Sequence, residues 1–244
     1  MKALLLSAGL GTRLRPLTNT IPKCLVPIHG RPLIEYWLEL LSNSGEFDIL
    51  VNLHYFSDEV RDFIEKSPYF SIVSTVYEEE LLGTAGTLLK NRDFFENRPL
   101  MLIHGDNLSR FDVKAFIMRH ANRPSGCEIT MMTFTTPTPG SCGIVELDEY
   151  GIVRAFHEKV ESPHGNLANG AVYILEPTIF DFLESLDKEF IDFSTDVLPH
   201  YIGKIFTFHN DVYHRDIGTI ESYMTAEREW DLIKKQPFEY THKR

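Results

Sequence analysis

Several stretches of this 244-residue sequence combine glycines, cations and carboxylates at spacings that suit phosphate chemistry. The first is S-A-G-L-G-T-R-L-R-P, residues 7–16, directly after an apolar run. Gly9 and Gly11 let the backbone come close to a ligand and offer N–H groups to phosphate oxygens. Thr12 adds a hydroxyl, and Arg13 and Arg15 add guanidinium forks that match phosphate oxygens. The stretch is neither a P-loop, which requires a later Gly-Lys-Ser/Thr, nor a dinucleotide fingerprint, because Leu14 stands where the third glycine belongs. Taken alone, it reads equally as a glycine-rich turn with surface arginines. Lys23 follows Pro22 in a loop that must lie near this turn, which makes it a second candidate cation for phosphate.

Three further groups follow. In Y-E-E-E-L-L-G-T-A-G-T-L, residues 77–88, a Gly-Thr-Ala-Gly turn opening a helix can present backbone N–H groups and Thr84 to a nucleotide. The preceding Glu78, Glu79 and Glu80 are either a solvated charge run or a source of one carboxylate accepting two hydrogen bonds at once. In L-I-H-G-D-N, Asp106 follows a buried strand and so sits at a sheet's C-terminal edge, where open α/β sheets bind ligands. Asp216, in Y-H-R-D-I-G, lies between a strand and a helix and is its candidate partner. Finally, A-F-H-E-K-V places Glu158 and Lys159 at a strand end, ahead of N-L-A-N-G-A-V-Y-I-L with Asn169 and Gly170. His104 and His157 read as structural.

These groups need a scaffold. Ala3–Ser7 reads as a strand covered on both faces. Leu33, Ile34, Trp37, Leu38 and Leu41 fall at helical spacing, and Gly45 ends that helix. Strands at 47–53, 70–77 and 98–106 alternate with a helix capped by Ser57 and another beginning in the Gly-Thr-Ala-Gly turn. Residues 1–106 therefore read as βαβαβαβ, a parallel sheet with helices on both faces. Beyond Asp112, strand-like runs at 127–138, 142–148, 151–159 and 169–175 are separated by Gly, Pro, Asn and Asp. Helices follow at 176–186 and 218–235, with one or two strands in 204–216 between them. The expectation is a single α/β domain with a mixed sheet in its second half.

Composition narrows the partners. A net charge of -11 argues against non-specific nucleic-acid binding. Three cysteines with no C-x-x-C pair read as free thiols in a reducing compartment, and no Cys/His spacing suggests zinc. No apolar run is long enough for a membrane span, and the chain reads as cytoplasmic.

The run L-S-A-G-x-G-T-R-L-R-P-L-T followed by P-K-x-L-V-P-I-x-G-x-P-L-I-E-Y resembles the signature of the sugar-1-phosphate nucleotidylyltransferases. The resemblance implies a Rossmann-like three-layer α/β sandwich with a mostly parallel mixed central sheet. It also implies that residues 1–111 form the nucleotide-binding half, and 112–244 the half that binds the sugar phosphate. Such enzymes join a nucleoside triphosphate to a sugar 1-phosphate and release pyrophosphate. By that resemblance Ala8, Gly9, Gly11 and Thr12 surround the triphosphate, and Arg13 and Lys23 neutralise charge at the reacting phosphate. Gly83 and Thr84 lie over the nucleoside, and Glu79 is assigned to the base. Asp106 and Asp216 hold Mg²⁺, Lys159 meets the sugar phosphate, and Glu158, Asn169 and Gly170 meet the sugar. The E-x-L-G-T-A-G string resembles the mannose-1-phosphate guanylyltransferases and favours GTP, since guanine offers N1–H and its amine side by side. Two departures stand out: Ser7-Ala8-Gly9 where Ala-Gly-Gly is common, and Val160 where proline is common. Other nucleotides, a phosphocholine cytidylyltransferase and a non-catalytic nucleotide-sugar sensor stay open as alternatives, as does a homo-oligomer.

Overall fold

Ala3, Leu4 and Leu5 are wholly buried, so neither face of the first strand meets water. The reason is its place in the sheet. The computed structural model describes residues 1–160 and 164–233. In chain order, β1 (Lys2–Leu6) is followed by a small hairpin, β2 (Pro27–Ile28) and β3 (Arg31–Pro32). Next come α1 (Leu33–Ser42), β4 (Asp48–Leu53), α2 (Ser57–Lys66), β5 (Val73–Tyr77), α3 (Thr84–Lys90) and β6 (Leu100–His104). The remainder supplies β7 (Asn107–Arg110), α4 (Val113–Ala121), β8 (Ile129–Thr135), β9 (Gly143–Leu147), β10 (Val153–Glu158) and β11 (Leu167–Leu175). It ends with α5 (Ile179–Ser185), β12 (Ile205–His209), β13 (Tyr213–Asp216) and α6 (Ile220–Ile233). The expected last residues of that helix, 234–235, lie outside the described residues.

The main sheet runs β10-β9-β11-β6-β1-β4-β5, with β8 paired to β11 and to β12. Its β6-β1-β4-β5 portion is parallel, as the βαβαβαβ reading requires, whereas β11 runs antiparallel to β6, β8 and β9. Side chains alternate across the strands and feed two cores. Leu5, Val51 and Ile103 face Trp37 and Leu38 of α1 and Phe116 of α4. Leu4, Leu50 and Leu102 face Leu88 of α3, Phe180 of α5 and the 193–201 segment. The result is the expected three-layer mixed α/β sandwich.

Two local expectations are corrected. Ser57 is the first residue of α2, not its cap; the cap is Phe56, in a left-handed conformation (φ 53) with no side-chain cap bond. Residues 107–110 form a strand that sequence periodicity does not reveal. β7 is only four residues long and pairs antiparallel with β13, more than a hundred positions away, in a separate ribbon.

Candidate active site

The parallel strands end along one edge, and the loops leaving them line a cleft of about 240 Å³. Ser7, Ala8 and Gly9 follow the end of β1, Asn52 comes from β4, Glu78 is the residue after β5, His104 ends β6, and Asp106 lies in the turn between β6 and β7. This is where an open α/β sheet binds ligands, outside the carboxyl ends of its strands. Asn52 accepts a hydrogen bond from the Ser7 N–H (2.7 Å), which fixes the start of the glycine-rich turn. Gly11 is left-handed (φ 61), and a Cβ there would lie 2.8 Å from Thr18 Cγ2. Its carbonyl accepts from the Thr18 hydroxyl (2.6 Å), so the loop folds back and delivers Lys23 to the cleft. Thr12 and Arg13 are exposed on the same turn, as is Arg15.

Lys23 is the hub. Its buried ammonium lies 2.7 Å from Asp106 Oδ2 and 3.7 Å from Asp216 Oδ1. The β7–β13 ribbon sets the two acids side by side, because Asp216 is in register with Asn107 and the Asp106 carbonyl accepts from the Ile217 N–H. Arg13 joins them, since a Cβ built on Gly218 would meet both Asp216 Oδ2 (2.5 Å) and Arg13 Nη2 (3.1 Å). Arg13, Lys23, Asp106 and Asp216 are thus gathered at one place from four segments.

Their electrostatics differ. Desolvation raises the Asp106 carboxyl, but the charge and hydrogen bond of Lys23 outweigh it and hold the group at about 2. Asp216 is pushed above the ordinary range by desolvation and by the neighbouring Asp106 charge, against the pull of Lys23 and Arg13. Two carboxylates kept close while repelling one another are a donor set that gains from a cation between them. Among the described residues there is no cluster of three or more potential metal ligands. A pair of carboxylates nevertheless fits Mg²⁺, which commonly takes one or two protein carboxylates and fills its octahedron with phosphate oxygens and water.

The Glu-Glu-Glu run resolves into unequal residues. Glu79 is exposed and does not line the cleft, whereas Glu78 does, at 1% exposure. Neither Glu78 carboxylate oxygen has a hydrogen-bond partner among the described residues. Its main chain is held twice, by its N–H to the Leu53 carbonyl (2.8 Å) and by its carbonyl to His54 Nδ1 (2.8 Å). Of the three acids it is therefore Glu78, and not Glu79, that the fold turns into the cleft. Alternation along β5 explains the shift, because its continuation turns residue 78 inward and residue 79 out. His104, expected to be structural, also has a buried Nε2 with no partner in the cleft wall, and desolvation lowers its pKa. Cys24 lines the cleft beside Lys23 as a free thiol pushed up to about 12 by burial, and Cys127 and Cys142 are free too.

The Gly-Thr-Ala-Gly turn lines the cleft through Gly83 and Thr84, and several of its polar groups bond within the protein. The N–H groups of Ala85 and Gly86 bond the Ile191 carbonyl (2.9 and 3.2 Å), and the Thr84 hydroxyl accepts from the Phe193 N–H (2.7 Å). The motif docks the 189–195 segment while Gly83 and Thr84 stay in the cleft wall. Gly83 is left-handed (φ 79), and a methyl group there would run into the Ile191 carbonyl. We expect Gly83→Ala to cost about 2–4 kcal/mol, from backbone strain and overpacking together. Urea denaturation checks this; an unchanged midpoint would show that the turn gives way freely.

Glu158, Asn169 and Gly170 gather at a second place. A register shift in β11 between Asn169 and Tyr173 lets Asn169 donate to the buried Tyr173 hydroxyl (2.7 Å) and accept from Ala171 N–H (2.9 Å). Glu158 lies close enough for its charge to act on that phenol, whose pKa burial raises. Lys159 adopts a left-handed backbone (φ 49), and its exposed ammonium pairs with Glu158 Oε1 (3.2 Å). It does not line the 240 Å³ cleft.

The sequence matches the family described as Nucleotidyl transferase over residues 2–231. It is 32% identical to a UTP–glucose-1-phosphate uridylyltransferase of Synechocystis over 247 residues, covering 93% of this chain and 63% of that protein. It is 31% identical to a mannose-1-phosphate guanyltransferase of Schizosaccharomyces pombe, with 93% and 63% covered. The chain thus spans just under two thirds of the length of these relatives. Among solved structures, HddC from Yersinia pseudotuberculosis in complex with GMP-PN is similar, with a TM-score of 0.79 and 27% identity, covering 94% of this chain and 99% of that one.

Proposed function

The chain belongs to the nucleotidyl transferase family, and from that premise we propose that it joins a nucleoside triphosphate, preferentially GTP, to a sugar 1-phosphate, forming an NDP-sugar and pyrophosphate. The observation that carries the reaction class is the Arg13–Lys23–Asp106–Asp216 cluster beside the glycine-rich turn. The observation that favours GTP is Glu78, a buried carboxylate whose two oxygens lack partners in the cleft wall. Such a group is costly to bury unless a ligand satisfies it. Guanine presents two donors side by side, which one carboxylate can accept; uracil and thymine present one donor between two acceptors.

In the reaction, the sugar phosphate attacks the α-phosphorus in line, and pyrophosphate leaves. The nucleophile is already anionic at neutral pH, so the task is to position two polyanions and neutralise the charge between them. Lys23 and Arg13 supply fixed positive charge at that point, and the backbone from Ala8 to Thr12 wraps the triphosphate. Asp106 and Asp216 would hold a magnesium ion, which, when bound, neutralises phosphate charge. Glu158, Asn169 and Gly170 form the sugar side, and Lys159, exposed beside Glu158, closes on the sugar phosphate once it is present. This division gives most of the nucleotide side to residues 1–111 and the sugar phosphate to residues 112–244, which also contribute Asp216 to the metal pair. No helix among the described residues is long and apolar enough to cross a membrane.

Glu78→Gln tests the nucleotide assignment. An amide offers one acceptor and one donor, so kcat/KM for GTP should fall by about two orders of magnitude while UTP and dTTP gain relative to it. Pyrophosphate release measured with each nucleotide reads this directly. Unchanged preference in the variant would remove Glu78 from base recognition.

A further inference from the structure

Phe190 is 57% exposed yet lines the nucleotide cleft, together with Leu81 at 39%. A single exposed phenylalanine is ordinary; this one is mounted on unusually well-tied backbone. The Ile191 N–H donates to the Leu82 carbonyl (2.9 Å), and the Ile191 carbonyl accepts from both Ala85 and Gly86. Two residues on, Phe193 N–H bonds Thr84 Oγ1, and the Asp192 carboxylate takes the N–H groups of Ser194 and Thr195 (2.9 and 3.0 Å). The segment is pinned on the turn that begins at Gly83, five residues after Glu78. An apolar ring is thereby placed, next to a tied backbone, at the mouth of a cleft whose wall carries the acceptor carboxylate.

We propose that Phe190, backed by Leu81, is the platform on which the face of the nucleobase stacks while Glu78 reads its edge. A base has both an edge that hydrogen-bonds and a π-face that stacks on aromatic side chains regardless of its identity. The two contacts divide the work: Glu78 selects among bases, and Phe190 adds affinity for any of them. This inference rests on the nucleotide reading of the cleft, although it does not require that the reaction occur.

The test is calorimetric binding of GTP, UTP, inorganic tripolyphosphate and mannose 1-phosphate to the full chain and to Phe190→Ala and Phe190→Trp. Phe190→Ala should weaken GTP and UTP alike by about tenfold or more and leave tripolyphosphate unchanged. Phe190→Trp should bind both nucleotides within about threefold of the parent, with indole fluorescence quenched by nucleotide but not by tripolyphosphate. The proposal is overturned if Phe190→Ala binds GTP as the parent does. Equal loss of tripolyphosphate overturns it in favour of a structural role. Loss of mannose 1-phosphate with GTP intact overturns it too, since the ring would then serve the sugar. Nucleotide binding that depends on Phe190 in a protein releasing no pyrophosphate would support this inference while refuting the proposed reaction, so the two fail separately.

Discussion

Asp106→Asn is expected to reduce magnesium-dependent pyrophosphate release by about a thousandfold or more. The substitution is nearly isosteric, and the Asp106 main chain, which holds Ile217 of the neighbouring ribbon, keeps its bond. What changes is charge. Lys23 loses its 2.7 Å ion pair, and Asp216 becomes the only carboxylate of the pair. A single neutral amide and one carboxylate hold a divalent cation far more weakly than two carboxylates do. Asp216→Asn should give a loss of similar size, because the acids act as one unit, and the double variant should be scarcely worse than either single one. The Tm should fall only modestly, since each single variant leaves the buried Lys23 ammonium one carboxylate and the acid side chains are themselves partly exposed, 41% and 51%. Full activity in both single variants would remove the proposed metal site; a collapse of the Tm would show that the pair is structural.

Lys23→Met should be the second most damaging change, with kcat falling by about two to three orders of magnitude. Methionine keeps the length and apolar stem of a side chain that is buried at 8% exposure, so the cleft floor stays packed. The lost ammonium is one of the two fixed positive charges at the reacting phosphate in the proposed mechanism. There is a second, equilibrium readout. Lys23 is what outweighs desolvation at Asp106 and holds its carboxyl at about 2. Removing it should raise that pKa, followed by carbon NMR of the carboxyl, because desolvation and the Asp216 charge both oppose ionisation. A kcat near the parent's together with a raised Asp106 pKa would make Lys23 a counter-ion to the acids only. An unmoved pKa would contradict the geometry.

The sequence and the structure agree best where signals are local. β1, α1, β4, α2, β5 and β6 are each legible because their apolar residues repeat at strand or helix period, and the glycine-rich turn, Lys23 and Asp106 sit at their ends. Pairing across the chain was less visible. β7 is too short to show a period, and its partner β13 is found only through the fold, although that ribbon is what brings Asp106 to Asp216. The choice among Glu78, Glu79 and Glu80 was hidden for a related reason. Which acid turns inward depends on where β5 ends, at Tyr77, a boundary that three identical residues cannot mark. The Gly-Thr-Ala-Gly turn was conspicuous, but its partner was not: Ile191, whose main chain takes its N–H groups, has a side chain that reads only as core. Phe190 was missed likewise, since its exposure follows from the pinning of its neighbours and not from its own type.

The most direct test of the proposed reaction is a pyrophosphate-release screen of the full chain over four NTPs against mannose 1-phosphate, glucose 1-phosphate and phosphocholine, with Mg²⁺ and with EDTA. The account predicts pyrophosphate only when a triphosphate, a sugar 1-phosphate and Mg²⁺ are all present, fastest with GTP, and its disappearance in Asp106→Asn. Nucleotide binding with no pyrophosphate release from any pair, or release from CTP with phosphocholine alone, would contradict it.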